Sequence, residues 1–318
     1  MPDSYRTLVV ANPESANRML GRRWRELSRC IEEHYGCFEH RFTERPGDAS
    51  ALTRRALEEG FEMVVAMGGD GTISEVVDGF FTPEGPVRPD AVLGVLPFGT
   101  GGDFRKTIGA PKRLPEGAAS LRGRRTSRID VGRLTHQSAA GERVRHFINI
   151  ASFGIGGLVD DLVNRSTKAF GGTVSFGLAT VRAMTRYRPQ RARVRLDGGE
   201  PREVLLQNVA VANGQFFGGG MHIAPHALLD DGRFDVVCLP PMGFADLLLH
   251  GHRIYSGTHL AMPGVTEERA ARVDAEPLPA GERILLDVDG ETPGWLPARF
   301  ELLAGALLLK TPEVGGPA

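Results

Sequence analysis

Uninterrupted apolar runs and helix-spaced apolar residues take turns along the first third of the chain. Thr7 to Ala11 (TLVVA), Met63 to Met67 (MVVAM) and Val92 to Leu96 (VLGVL) read as buried strands, and Phe38 to Thr43 as a shorter one. Between them Trp24, Leu27, Cys30, Ile31 and Tyr35 recur at helical spacing. Ala49 to Leu57 reads as a helix with Asp48 as its N-cap, and Ile73 to Phe80 as another. Strands without a polar face, alternating with helices, predict a parallel sheet covered on both sides through right-handed crossovers.

Near Ser127 the pattern changes. Ile129–Thr135, Val144–Ser152, Ala192–Leu196, Val204–Ala212, Phe234–Leu239, Ile284–Val288 and Phe300–Leu303 read as strands, separated by turn residues such as Asp197-Gly198-Gly199 and Asp231-Gly232. Leu158–Ala169 and Val174–Tyr187 read as helices, whose apolar residues (Leu158, Leu162, Phe176, Leu178) are core before they are a lipid groove. Arg122–Arg128 is the expected linker, and apolar Ala306–Lys310 can pack back on either domain.

Composition narrows the classes. The 318 residues carry a net charge of −1, with 41% hydrophobic and 24% charged positions, which suits one large or two modest globular domains and gives no electrostatic case for nucleic acid. Arginine gathers at Arg122, Arg124, Arg125 and Arg128, and again from Arg182 and Arg186 through Arg188, Arg191, Arg193 and Arg195. Such runs are solvated faces first, and phosphate or acidic-headgroup contacts second. Three cysteines without metal-ligand spacing imply a reducing cytosol, and no signal peptide is expected at the start. Apolar stretches such as Leu247-Leu248-Leu249 are too short to cross a bilayer, so membrane contact would be peripheral. His222 and His226 are four apart, but Ala224-Pro225 breaks any helix between them, and zinc is not expected. Phe216-Phe217-Gly218-Gly219-Gly220 is either a lid or a wide loop.

The chemistry starts at Val64–Phe80, VVAMGGDGTISEVVDGF. Gly68-Gly69 close a strand and Gly71-Thr72 open a helix, a layout in which backbone N–H groups and a helix N-terminus meet phosphate. The loop is neither a dinucleotide fingerprint nor a P-loop, because Asp70 sits inside it and no lysine follows. Pro97-Phe98-Gly99-Thr100-Gly101-Gly102-Asp103-Phe104 repeats the plan after the next strand. At one edge of a parallel sheet, Asp70 and Asp103 would face a common pocket, and two acids beside a phosphate-binding backbone call for a cation such as Mg²⁺.

GGDGT at Gly68–Thr72 together with PFGTGGDF at Pro97–Phe104 resembles the diacylglycerol kinase catalytic superfamily of lipid kinases, to which NAD kinase and phosphofructokinase are more distant. The similarity continues in Asn12-Pro13, in Thr43 with Gly47-Asp48-Ala49, in Arg128–Gly132, in APHALLDDGRFDVV at Ala224–Val237 and in VDGE at Val288–Glu291. It implies an α/β fold of two domains. Residues 1–127, joined by a returning strand at 305–313, would form a three-layer nucleotide-binding domain, and 128–304 a β-sandwich lipid-binding domain, with ATP between them. By matched position, Asn12, Thr43, Gly68, Gly69, Asp70, Gly71, Thr72, Glu75 and Thr100 would form the nucleotide site. Asp70 and Asp103 would organise catalytic Mg²⁺, with Asp130 in the same network. A structural Mg²⁺ would sit on the Asp231 side chain and the Leu228 and Arg233 carbonyls. The proton acceptor falls in Asp289-Gly290-Glu291, with Asp289 favoured and Glu291 close behind.

Three positions depart from the family pattern: Gly102 and Ser74 replace asparagines, and Glu14-Ser15-Ala16 stands where Ser-Gly is common. The implied protein is an ATP- and Mg²⁺-dependent cytoplasmic kinase that visits the membrane to phosphorylate a lipid such as diacylglycerol. A kinase of a soluble acceptor, as NAD kinase is, and a non-catalytic binding module stay open as alternatives. Oligomeric state is open as well, a homodimer included.

Overall fold

The computed structural model describes residues 5–99, 101–157 and 188–310, without the side chains of 244–248. Thr100 and the two helices expected between residues 158 and 187, with Arg182 and Arg186, lie outside the described residues. The chain divides into two compact units, Met1–Ile129 with Gly305–Ala318, and Asp130–Ala304.

The first unit runs β1 (Thr7–Ala11), α1 (Ser15–Arg22), α2 (Trp24–His34), β2 (Glu39–Phe42), α3 (Asp48–Glu58), β3 (Met63–Gly68) and α4 (Asp70–Gly79). A two-residue ribbon, β4 (Phe81–Thr82) with β5 (Gly85–Pro86), leads to β6 (Val92–Pro97), α5 (Asp103–Thr107) and α6 (Leu114–Ser120). The strands pair in parallel in the order β6-β3-β1-β2, in register at Val64 with Leu93 and at Val9 with Val65 and His40. On one face Val9, Ala11, Met63, Val65 and Met67 bury against Leu20, Leu27, Ile31 and Ala118 of α1, α2 and α6. Helices α3 and α4 pack on β1, β3 and β6 as well. This is the doubly covered parallel sheet that strands without a polar face require. Its order reverses at β1, which opens a crevice beyond the carboxyl ends of β1 and β3. The first residues of α1 do not follow helical geometry: Ala16, Asn17 and Arg18 have φ of 51°, 57° and 67°. The cap of α3 is Gly47 rather than Asp48, whose carboxylate turns back to accept the N–H groups of Glu44 and Arg45.

In the second unit, β7 (Thr126–Ser138) and β8 (Gly141–Phe147) form a hairpin, followed by β9 (Ile150–Gly154). Then come β10 (Gln190–Leu196), β11 (Arg202–Leu206), β12 (Asn208–Ala212), the short pair β13 (Phe216–Phe217) and β14 (Met221–His222), and β15 (Phe234–Leu239). After α7 (Phe244–Tyr255) follow β16 (Thr266–Ala270), β17 (Arg272–Leu278), β18 (Leu286–Val288) and β19 (Trp295–Lys310). One antiparallel sheet is ordered β16-β15-β12-β9-β18; facing it are β11, β10, β17 and the start of β19, with β7 and β8. Phe153, Val209, Val211, Phe234 and Leu286 of one sheet share a core with Leu134, Phe147, Val194, Val273 and Phe300 of the other. Phe147 stacks on Phe234 and Phe153 on Phe300 between the layers, so this unit is a β-sandwich. The end of β19 belongs to the first unit, where Leu308 and Leu309 pair in parallel with Val92 and Leu93.

Two expected strands are each split in two. Val144–Ser152 is divided between β8 and β9, and Val204–Ala212 between β11 and β12, with each half in a different sheet. Charged β16 and β17 and helix α7 have no counterpart in the strand reading of the sequence.

Candidate active site

The glycine-rich turns lie where β3 and β6 end. Gly68 must lack a side chain, since a Cβ there would meet Thr72 Oγ1 at 2.5 Å. That closeness seats Thr72 under the turn, where its hydroxyl accepts a hydrogen bond from Asn12 Nδ2 at 3.2 Å. Asn12 follows β1, and its N–H reaches the Met67 carbonyl, so the ends of β1 and β3 are laced together. Thr43 continues β2 by donating its N–H to Ala11. Gly69 caps α4, and Gly71 lies in the first turn of that helix.

Asp70 binds the second loop. Its Oδ2 accepts the N–H of Gly102 at 2.8 Å and its Oδ1 that of Phe104 at 3.1 Å. Burial, and next the Asp103 carboxylate, push the Asp70 carboxyl above its ordinary range, while the N–H groups of the second loop pull it down. Asp103 is buried and receives a hydrogen bond from Lys106 Nζ at 3.0 Å. Gly102 has a φ of 68°, a backbone that glycine takes freely and asparagine tolerates better than most residues. Glu75 faces away from the glycine-rich turn: its carboxylate accepts the N–H groups of Gly47 and Ala49 and so ties α4 to the start of α3. Of the nucleotide-site residues expected from the sequence, Asn12, Gly68, Asp70 and Thr72 gather with Asp103 at the two turns, and Glu75 serves the neighbouring helix start.

In the second unit the late acidic residues occupy a tight hairpin. Val288 and Glu291 exchange backbone hydrogen bonds, and φ is 49° at Asp289 and 86° at Gly290, the signs of a type I′ turn. Asp289 accepts the N–H of Ile150 at 2.9 Å and of Ile148 at 3.4 Å. Glu291 Oε2 pairs with Arg145 Nη1 at 2.7 Å. Asp287, one turn of the strand earlier and buried, accepts from Ser152 Oγ and the Gly290 N–H. Arg145, Asp287 and Asn213, a buried amide that donates to the Asp130 and Ile148 carbonyls, escaped the reading of the sequence. Asp287 had a visible signal, since LDVDGE places it in step with Asp289.

The Asp231 turn is held by protein groups. Its carboxylate accepts the Arg233 N–H and forms an ion pair with Arg269; Asp130 takes the Gly232 N–H at 2.7 Å and donates its own to Leu229. Leu228 lies exposed on the same turn. Among the described residues no three His, Cys, Asp or Glu side chains gather as a metal cage. The Asp231 carboxylate, expected to hold a structural Mg²⁺ with the Leu228 and Arg233 carbonyls, is paired here with the Arg269 guanidinium.

The comparisons agree with the two units. Residues 6–134 match the diacylglycerol kinase catalytic domain, and residues 149–311 the YegS C-terminal NAD kinase beta sandwich-like domain. A "Diacylglycerol kinase" of Staphylococcus carnosus is 29% identical over 97% of this chain and 95% of its own. A protein of Chromohalobacter salexigens named "Probable lipid kinase YegS-like" is 32% identical over 86% of this chain and 83% of its own. The crystal structure of a diacylglycerol kinase from Bacillus anthracis shares the fold, with a TM-score of 0.73 at 22% identity over 96% of this chain and 97% of that one. With a catalytic domain and a C-terminal sandwich of one lineage matched in order along its length, the chain belongs to the bacterial diacylglycerol kinase and YegS-like family of lipid kinases.

Proposed function

We propose that the protein transfers the γ-phosphate of ATP to a hydroxyl group of a membrane-derived lipid such as diacylglycerol. The observation that carries this reading is the clasp between the two glycine-rich turns, Asp70 on the amides of Gly102 and Phe104, in a chain of lipid-kinase ancestry. Phosphoryl transfer asks a protein mainly for positioning and charge stabilisation. The α4 N-terminus, preceded by two glycines, offers amides and a positive dipole end to phosphate oxygens. Asn12 and Thr72 fix the spacing between the β1 and β3 ends on which a nucleotide would rest.

Asp70 and Asp103 fit a Mg²⁺ that arrives with the nucleotide. Two neighbouring carboxylates, one of them pushed up by burial and by the other, gain from a cation between them. They would hold it through water, as Mg²⁺ keeps much of its hydration shell. Once bound, the ion would offset charge on the transferring phosphate.

Glu291 is the better candidate for proton acceptor. The Asp289 carboxylate is engaged by two backbone amides and fixes the turn, whereas Glu291 is partly exposed and held by a side chain. Glu291 would take the proton of the acceptor hydroxyl as the hydroxyl oxygen bonds to the γ-phosphorus and the bond from that phosphorus to the bridging oxygen breaks, releasing ADP. Among the described residues no helix is long and apolar enough to cross a membrane, and a lipid acceptor would be met at the cytoplasmic membrane surface.

The test offers γ-labelled ATP and Mg²⁺ to the protein with a lipid extract, with NAD, or with neither. Label entering the organic phase supports the reading; label on NAD alone, or no transfer at all, contradicts it.

A further inference from the structure

We propose that Arg145 is a positioning residue for phosphoryl transfer, holding the Glu291 carboxylate in the orientation from which it accepts the substrate proton. The proposal rests on the reading of Glu291 as the proton acceptor. Arg145 lies on β8, opposite Leu134 of β7, with its side chain only 17% exposed. Its Nη1 stands 2.7 Å from Glu291 Oε2, across a sequence distance that only the fold closes.

The same short stretch of chain holds the whole acidic hairpin. Arg145 grips Glu291 by its side chain, and Ile148 and Ile150 grip Asp289 by their N–H groups. The backbone of the turn is thus settled through Asp289, while the longer Glu291 side chain, with more rotatable bonds, needs its own restraint. A carboxylate that must come within hydrogen-bond reach of one hydroxyl loses rate when it can wander. A largely buried guanidinium suits this task, because it stays charged and its rigid plane, held by the surrounding strands, keeps the donor at Nη1 in one place. It also leaves the second carboxylate oxygen of Glu291 outside this contact.

An ion pair serving stability alone and one serving orientation differ in what they change. The experiment measures kcat and KM for ATP and diacylglycerol, with Tm, for Arg145→Gln, Arg145→Lys, Glu291→Gln and the double variant Arg145→Gln/Glu291→Gln. Arg145→Gln should lower kcat on the order of tenfold to a hundredfold, with KM for ATP within about twofold of the parent. Arg145→Lys should recover part of the loss, and the double variant should be no slower than Glu291→Gln alone. If Arg145→Gln does not fold, Arg145→Lys carries the test, since it keeps the charge but loses the rigid guanidinium plane and should still lower kcat severalfold. Parental kcat in a folded Arg145 variant, with Glu291→Gln inactive, overturns this proposal alone. Parental kcat in Glu291→Gln overturns the assignment of the proton acceptor, and the role of Arg145 with it.

Discussion

Asp70 accepts the backbone N–H of Gly102 at 2.8 Å, and through that bond one glycine-rich turn holds the other. The acid inside a loop built for anions is therefore a clasp as well as a candidate metal ligand. Asp70→Ala removes both of its bonds to the second loop, each a hydrogen bond to a charged group and worth about 1.5–3 kcal/mol. Hydrogen exchange at Gly102 and Phe104 should speed up, and ATP binding should weaken at least tenfold. Unchanged exchange at those two amides would contradict the clasp.

Gly68 leaves no room for a side chain against Thr72. Gly68→Ala should push Thr72 away, break its bond with Asn12, and lower ATP affinity without unfolding the sandwich of the second unit. Calorimetric titration with a non-hydrolysable ATP analogue checks this, together with near-ultraviolet circular dichroism.

Ala16 adopts a φ of 51°, in the left-handed region that favours glycine. Left-handed backbone costs a non-glycine residue roughly 1–2 kcal/mol. Ala16→Gly should stabilise the protein by about 0.5–1 kcal/mol, after the greater freedom of glycine in the unfolded chain is offset. Urea unfolding at equilibrium measures it.

Asp235 is fully buried, and among the described residues neither of its carboxylate oxygens has a hydrogen-bond partner. Burial first, and then the Glu267 carboxylate, push it up to about 6. The folded state holds this proton more tightly than the unfolded state does. Its contribution is therefore fully present below the ordinary aspartate value of about 3.9, and is lost as pH rises through about 6. Asp235→Asn should raise stability at pH 7 by about 1–3 kcal/mol and flatten its fall between about pH 4 and 6. An equal fall with pH in parent and variant would contradict the assignment.

The strands of the parallel sheet were legible because burial on both faces leaves no polar alternation, as in TLVVA and MVVAM. The breaks at Ile148-Asn149 and at Gln207 were not, since the chain changes sheets there with no glycine or proline to mark the point. Strands β16 and β17 were missed for the opposite reason: Glu268, Arg272, Asp274 and Glu276 fill them with charge that pairs across the surface. At the site, residue type revealed the acids but not their partners. Glu75 follows the GGDGT motif closely enough to be assigned to the nucleotide, yet its carboxylate ends on the amides of Gly47 and Ala49. Arg145 alternates with Arg143 in ERVRHF, a pattern that reads as a solvated strand face until the VDGE hairpin is folded over it.

Phosphorus NMR of the product formed from ATP and diacylglycerol, run with the parent protein and with Glu291→Gln, decides whether this chain phosphorylates a lipid and whether Glu291 takes part. The parent should give a new phosphate monoester resonance in the lipid fraction, and the variant almost none. No lipid phosphate ester with the parent, or equal amounts from both proteins, would contradict the proposed function.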